Sequence, residues 1–531
     1  MLPRLASPQF GLLDDGLTLQ TGQETIGRWA SVLALIPETG RFFPAYWLVY
    51  SAVVGVVGIR PLGFFVFNVL VLSALLIVLA RLVQASGGTR LSIAVAVVLF
   101  ATCGPVIEAF YTLSKAEPLQ MLWIGVSLLA AAVSARASRG WTRGAFIALA
   151  VAALVFGYAT KETSVVLVVV SFAWVVIEWA TRGVGVGARF AQTYAAVNVV
   201  AAATFFALRW RYASLALADG TYTRAYMFHA DTLGPALFRI AAWLLRDFLY
   251  LLPLLVAAAV AFRYAPPEAR RGLLYAAVWM AGWLGVFTPW PATFEYYLLP
   301  FAFGASLFAG LVVGILWSAR GRHAPVPARR VAWSALVASA VLWPPALVNA
   351  AADGRVQLAV DRANADLVDF LGALPHGSRV LLNTAHVNEY YYELPMHLAE
   401  IKRRPDLVVQ HVGVLAAGRP APGGVVVVTP RMANQPRPTV RIAPYDAGDR
   451  PDATRLAEIL SGGELLYATE RHARVIQLRL HRPLCGVAKP PFLDRTFCAD
   501  PRGLVDARRF MYGWQVHRLS RPADAPGARP T

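Results

Sequence analysis

The sequence predicts a polytopic α-helical membrane protein with a C-terminal extracytoplasmic α/β or α+β domain, and three observations carry that prediction. Of its 531 residues 57% are hydrophobic and only 15% charged, with a mean hydropathy of +0.52. Soluble domains carry about 25% charged and about 45–50% apolar residues, so the surplus must face lipid. The apolar residues fall in successive runs up to Ala350, most of them long enough to cross a bilayer at about 20 residues each. Beyond Ala350 the texture turns mixed, charged, Pro-rich and strand-like for about 180 residues, the size of an ordinary domain. The same composition excludes a disordered chain, which needs low hydrophobicity. The net charge of +18 would raise nucleic acid as a partner, but most Lys and Arg sit in short loops between apolar runs, where they report membrane orientation.

The runs lie at roughly 61–83, 90–110, 118–135, 144–159, 163–180, 190–208, 237–262, 272–288, 296–318 and 331–350, about ten spans with no internal repeat. One loop carries Arg136, Arg139 and Arg143, a second Arg182 and Arg189, a third Arg263, Arg270 and Arg271, and a fourth Arg320, Arg322, Arg329 and Arg330. These are alternate loops, and the positive-inside rule puts them in the cytoplasm. By parity the opposite face holds residues 1–60, the loop at Lys115, the turn at Lys161, the loop from Trp210 to Pro235, the turn TPWPATFE and the C-terminal domain. The organisation is thus an extracytoplasmic acidic loop with an interfacial helix (1–60), a transmembrane domain (61–350), an extracytoplasmic domain (351–520) and a disordered tail (521–531). Residues 1–60 reach the outside with no signal peptide and no preceding span. A first transmembrane helix upstream of Met1 is therefore expected, and an in-frame apolar segment of about 20 codons in the genome would supply it.

Candidate functional residues gather on the outer face. Asp14-Asp15-Gly16 comes first, then Gly40-Arg41-Phe42-Phe43-Pro44 and the stretch AYWLVYSAVVGVVG. If that stretch spanned, it would invert every later loop, so it reads as an interfacial helix with Tyr46, Trp47 and Tyr50 at headgroup level. Asp14-Asp15 also fits an Asx turn or a helix N-cap, and Arg41 an interfacial anchor. At the outer ends of later spans stand Lys115-Ala116-Glu117-Pro118, Lys161-Glu162-Thr163 and Glu295-Tyr296-Tyr297. Lys161 sits at a border where a lysine either snorkels to the interface or is held inside for function. Glu295, Tyr296 and Tyr297 read either as aromatic belt or as substrate-facing. The loop before Pro235 adds Arg224 and His229, which an ordinary solvated loop would equally contain.

An early acidic pair, a Gly-Arg-Phe-x-Pro element, an interfacial helix and a span beginning near Asn68, followed by the Lys115, Lys161 and Glu295 motifs in this order and sidedness, resemble the GT-C superfamily of integral-membrane glycosyltransferases. The resemblance covers most of residues 1–350 and is to family-39-like members, relatives of protein O-mannosyltransferases and lipid A aminoarabinose transferases. It implies an enzyme of the bacterial inner membrane that moves a sugar from a polyprenyl-phosphate carrier to a lipid, glycan or protein acceptor on the outer face, with inversion. Asp14 takes the family's general-base position, with Asp15 as its neighbour or an acceptor or metal contact. The phosphate leaving group calls for cations, for which Arg41, Lys161 and Lys115 stand ready. Glu117, Glu162, Glu295, Tyr296, Tyr297, Arg224 and His229 become substrate-binding candidates. No residue set has firm metal-ligand spacing, so no cofactor is assigned and a divalent cation stays open. The sequence departs from the aminoarabinose-type pattern at Phe43, where those enzymes carry a Lys; Arg41 lies two residues earlier. A membrane transporter or flippase of a lipid-linked saccharide is the alternative. It would place polar residues in mid-span and break helices with Gly or Pro.

In the C-terminal part RVLLNT, DLVVQHV and GGVVVVTP read as strands, VNEYYYELPMHLAEIKRR as a helix broken at Pro395, and ELLYATERHARVIQLRL as a hairpin turning near Glu470. His386, Glu389, Glu393 and His397 share a face of that helix, which reads as a solvated polar face. Of the three cysteines, Cys485 and Cys498 fall in this external domain, where a disulfide between them is expected, closing a loop of about 13 residues. Cys103 reads as packing inside a span.

Overall fold

The structure, a computed structural model, describes residues 1–12, 15–34, 42–181, 185–213, 233–288, 294–318, 325–383, 387–411, 425–433, 463–478 and 505–519. Before the bundle come α1 (Leu2–Ala6), α2 (Asp15–Glu24) and α3 (Pro44–Val57). The bundle comprises α4 (Pro61–Ala85), α5 (Arg90–Thr102), α6 (Gly104–Tyr111), α7 (Glu117–Arg136), α8 (Gly140–Thr160), α9 (Val166–Ala180), α10 (Val186–Ala213), α11 (Leu233–Asp247), α12 (Leu251–Tyr264), α13 (Pro267–Phe287), α14 (Leu299–Trp317) and the start of α15 (Val326–Gly372). Pro opens α3, α4, α7, α13 and α14 within their first two positions, where its missing N–H leaves no intrahelical bond unmade. Thr89 and Ser92 close a reciprocal capping box at the start of α5.

Among the described residues seven helices are individually long and apolar enough to cross a membrane, and the bent pairs α5–α6 and α11–α12 bring the number to nine. The runs expected as straight spans at 90–110 and 237–262 are thus broken, by 55° and 79°. Gly104-Pro105 lies at the first break, and the charged pair Arg246-Asp247 at the second. The run 272–288 falls in α13, whose opening turns carry Glu268, Arg270 and Arg271 and shorten its apolar part.

Helix α15 is 47 residues long, about 70 Å at 1.5 Å per residue, more than twice an apolar bilayer core of about 30 Å. It runs unbroken through position 350, so the change of texture there is a change of surroundings rather than of secondary structure. Its C-terminal half lies on a sheet in which β1 (Arg379–Leu382), β2 (Val408–His411), β3 (Val425–Ala433), β4 (Glu464–Leu478) and β5 (Val505–Arg518) take the order β2-β1-β3-β5-β4. The first three strands are parallel and the last two antiparallel. Trp514 Nε1 donates to Asn364 at 3.0 Å, and Phe370 stacks on Tyr467 at 4.4 Å, joining helix to sheet. The segment expected as a hairpin is a single strand, β4, with an irregularity between Leu465 and Tyr467. It pairs along its length with β5, so Glu470 faces Gly513 across a ladder and not a turn. Helix α16 (Val387–Glu400) contains Pro395 without ending there.

The bundle has two distinct ends. Away from the sheet, Arg136 donates to the Ala85 carbonyl at 2.8 Å, and Arg271 pairs with Glu178 at 3.3 Å, so these two basic loops lie there. At the sheet end, α3 packs on α2 and α4. Its Tyr46, Trp47 and Tyr50, expected at headgroup level, are buried: Tyr46 bonds Thr18 at 3.0 Å, Tyr50 donates to the Leu113 carbonyl, and Tyr50 stacks with Phe64. Val56 faces outward instead, 85% exposed, so the aromatic side of α3 is the packed side.

Candidate functional site

The site is built from loops at the sheet end. Asp15 begins α2 and is buried; its Oδ2 accepts the Gly11 N–H at 2.7 Å, while Oδ1 is buried with no hydrogen bond among the described residues. Burial raises its pKa to about 7; the Gly11 bond opposes this, Asp361 adds like charge, and Arg4 and Lys115 pull the value down. Asp361 comes from α15, where it pairs with the buried Arg4 at 2.5 Å and accepts from Gln357. Asp14 and Arg41 lie outside the described residues.

A raised carboxyl pKa is a cost that grows with pH, because the unfolded chain ionises first. Between about pH 4 and 7 the unfolded state binds fewer protons than the native one, so stability falls over that window by about 4 kcal/mol and is flat above it. Asp15→Asn keeps an acceptor for the Gly11 N–H and removes the titration. Its melting temperature in detergent should exceed that of the parent at pH 8, with the advantage shrinking toward pH 4; an equal advantage at both values would remove the buried charge as its cause.

Beside the acid stands a cation–aromatic cluster. Lys161 caps α8 and is buried, its Nζ paired with Glu117 at the first turn of α7. The same ammonium lies 3.8 Å from the Tyr297 ring centroid and 5.8 Å from that of Tyr296, and the Lys115 ammonium lies 4.6 Å from the Tyr296 centroid. Two ammonium groups from separate loops therefore meet one ring. Lys161 does not snorkel: it is 5% exposed, and Gln120, bonded to the Lys161 carbonyl, Thr163 and Ser164, fixes the turn behind it.

Two predicted residues face elsewhere. Glu162 accepts the Phe42 N–H and an Arg209 ion pair, both at 3.1 Å, and so ties the segment entering α3 to the end of α10. Glu295 turns into a buried cluster around Arg246, which reaches Glu295 at 2.9 Å, Asp247 at 3.5 Å and Asp353. Asn349 stitches that cluster to the sheet by bonding the Arg246 carbonyl and both the N–H and carbonyl of Leu478. The Tyr296 N–H donates to Glu108 at 3.1 Å. Arg224, His229, Cys485 and Cys498 lie outside the described residues, as do His386 and the side chain of Glu389.

Glu393 and His397, expected on a solvated face, are buried against α2, at 4% and 2% exposure. Burial lowers the His397 pKa to about 4, against an opposing backbone bond to Gly11, so the ring is neutral at pH 7. Arg4, Arg246, Asp353 and Asp361 were not singled out by sequence. Arg246-Asp247 and Glu108 did carry a signal, since charged residues inside apolar runs default to function. A groove of about 560 Å³ between α15 and β4, lined by Arg355, Arg362, Arg471, His472 and Arg474, contains none of the predicted site residues. Among the described residues no group of three or more His, Cys, Asp or Glu side chains is arranged to hold a metal ion.

No protein-family model matches the chain, and no curated protein sequence does. Among solved structures it is similar to ArnT from Cupriavidus metallidurans bound to undecaprenyl phosphate, with a TM-score of 0.51 and 15% identity over 80% of this chain and 90% of that one. ArnT from the same organism in the apo state gives a TM-score of 0.47 and 14% identity, covering 80% of this chain and 89% of that one. The likeness to the undecaprenyl phosphate-bound structure shows the fold: the chain is a multi-pass membrane protein with an ArnT-like fold and a small C-terminal sheet domain.

Proposed function

We propose that this protein is a glycosyltransferase of the bacterial inner membrane that transfers a sugar from a polyprenyl-phosphate donor to a lipid, glycan or protein acceptor on the extracytoplasmic face, with inversion. The observation that carries the reading is the meeting of Lys115 and Lys161 on Tyr296, with Lys115 within electrostatic reach of the buried acid Asp15. The fold shared with ArnT, whose crystal structure holds undecaprenyl phosphate, supports a polyprenyl phosphate as ligand.

The chemistry needs one base and a sink for negative charge. The acceptor oxygen attacks the anomeric carbon as its proton passes to Asp14. The bond from that carbon to the phosphate oxygen breaks, and polyprenyl phosphate leaves with the electron pair. A phosphate needs no general acid, so the ammonium groups of Lys115 and Lys161, aided by Arg41, take up the growing charge. Glu117 holds Lys161 in place, and the tyrosines give both lysines an electron-rich wall. Asp15, whose burial raises its pKa to about 7, adjoins the proposed base in sequence, so its ionisation should contribute an acidic limb to the rate.

Substituting the lysines tests this reading. Lys115→Met and Lys161→Met should each lower kcat/KM for a polyprenyl-phosphate sugar by about 10–100-fold, in line with about 1.5–3 kcal/mol for a hydrogen bond to a charged group. Lys161→Met also strands Glu117, so Lys161→Met/Glu117→Gln should recover stability without recovering turnover. Full turnover in the double variant would remove Lys161 from the phosphate site. Donor translocated intact, with no cleavage by the parent protein, would favour the flippase alternative.

A further inference from the structure

The acidic motif ends on a glycine, and the structure shows what that glycine admits. Helix α16 crosses the first turn of α2, and the Glu393 carboxylate lies over it. The Gly16 N–H donates to Oε2 at 2.5 Å and the Leu17 N–H to Oε1 at 3.2 Å. The first N–H groups of a helix have no partner inside it, and negative charge is favoured there. Such a cap ordinarily comes from a neighbour in sequence; here it comes from 377 residues away. A Cβ at position 16 would stand 2.8 Å from Glu393 Oε2, 2.9 Å from His397 Cδ2 and 3.0 Å from Met396 Cβ, so glycine is what lets α16 come this close. On the other side the Asp15 carboxylate holds the Gly11 N–H. Asp15 is thus held on one side through Gly11 and followed on the other by a backbone bonded to Glu393.

We infer that Glu393 is a positioning residue for sugar transfer: it fixes the first turn of α2, and with it Asp15, against the lysine-bearing ends of the bundle, making the C-terminal domain a working part of the site. This rests on the transferase reading above. The charged and titratable groups facing Asp15 are Arg4, Asp361, Lys115 and Tyr50, with Glu393 and His397 on α16 next to Gly16. Glu393 is bonded to the backbone of α2 at two successive N–H groups.

The test uses the full-length protein in lipid nanodiscs. Glu393→Ala should lower kcat by about 10–100-fold, the scale of an ångström-sized misplacement. Glu393→Gln, which keeps one acceptor oxygen, should lose less. Donor KM should hold, because Lys115 and Lys161 are untouched. The acidic limb should move to lower pH, since a released loop hydrates Asp15 and burial is what raises its pKa. Hydrogen exchange of residues 11–24 should quicken in Glu393→Ala, and Gly16→Ala should reproduce both effects. Lower yield and melting temperature with unchanged kcat per folded molecule and an unmoved limb would overturn the proposal, as would unchanged exchange. Exchange needs no turnover, so a parent protein that transfers no sugar removes the transferase reading while the clamp itself is still decided.

Discussion

Asp14→Asn should reduce kcat by about 10²–10⁴-fold, the usual share of a general base, while donor KM changes less than threefold. Asn keeps the volume and one acceptor oxygen of Asp, so the loss isolates proton removal from packing. Asp15→Asn should flatten the part of the acidic limb that ionisation of Asp15 contributes. Asp15→Asn should keep a larger residual rate than Asp14→Asn, because its side chain is turned to Gly11. The reverse order would make Asp15 the base. A pH–rate profile of each purified variant, with turnover expressed per folded molecule, checks the assignment.

Arg246→Leu should leave little folded protein. Arg246 is 3% exposed and offers one guanidinium to Glu295, Asp247 and Asp353, themselves buried. Removing one partner from a buried ion pair costs about 3–5 kcal/mol, and here several carboxylates lose their cation together. Arg246→Lys keeps the charge but cannot present two nitrogens to Glu295 and Asp353, so its melting temperature should fall between those of Leu and the parent. Arg246→Leu combined with Glu295→Gln and Asp353→Asn should recover most of the loss. Yield and melting temperature in detergent decide it; a stable, well-expressed Arg246→Leu would show that these acids are held neutral without the arginine.

The legible part of the fold was what hydropathy and loop charge encode. Apolar runs located nearly every bundle helix, and the grouped arginines at Arg136 and Arg271 lie at one end of the bundle. Breaks inside runs were harder. Arg246-Asp247 sat within an apolar stretch that a span-length window averages over, although the cost of charge in lipid argued against a straight helix there. The outer-end motifs were read from position alone, and the structure brings Lys115, Glu117, Lys161, Tyr296 and Tyr297 together while Glu162 and Glu295 face other partners.

What sequence could not show were partnerships between distant segments. Glu393 and His397 have the spacing of a polar helix face, and only the approach of α2 converts that face into a buried clamp. Tyr46 and Tyr50 failed in the mirror sense: amphipathic aromatics suit a headgroup belt, but hydroxyl partners at Thr18 and the Leu113 carbonyl turn them inward. Strand β4 was misread because its run of charges at Glu470, Arg471 and His472 imitates a turn. Those charges belong to a strand at the edge of the sheet, where charged residues are common.

The most direct test of the central claim is release of polyprenyl phosphate from a panel of labelled polyprenyl-phosphate sugars by the purified full-length protein, with bacterial envelope extract as the acceptor source. A transferase with Asp14 as its base should cleave one donor and pass label to the acceptor fraction in equal amount, and Asp14→Asn should do neither. No cleavage of any donor by folded parent protein that binds polyprenyl phosphate, or undiminished cleavage by Asp14→Asn, would contradict the claim.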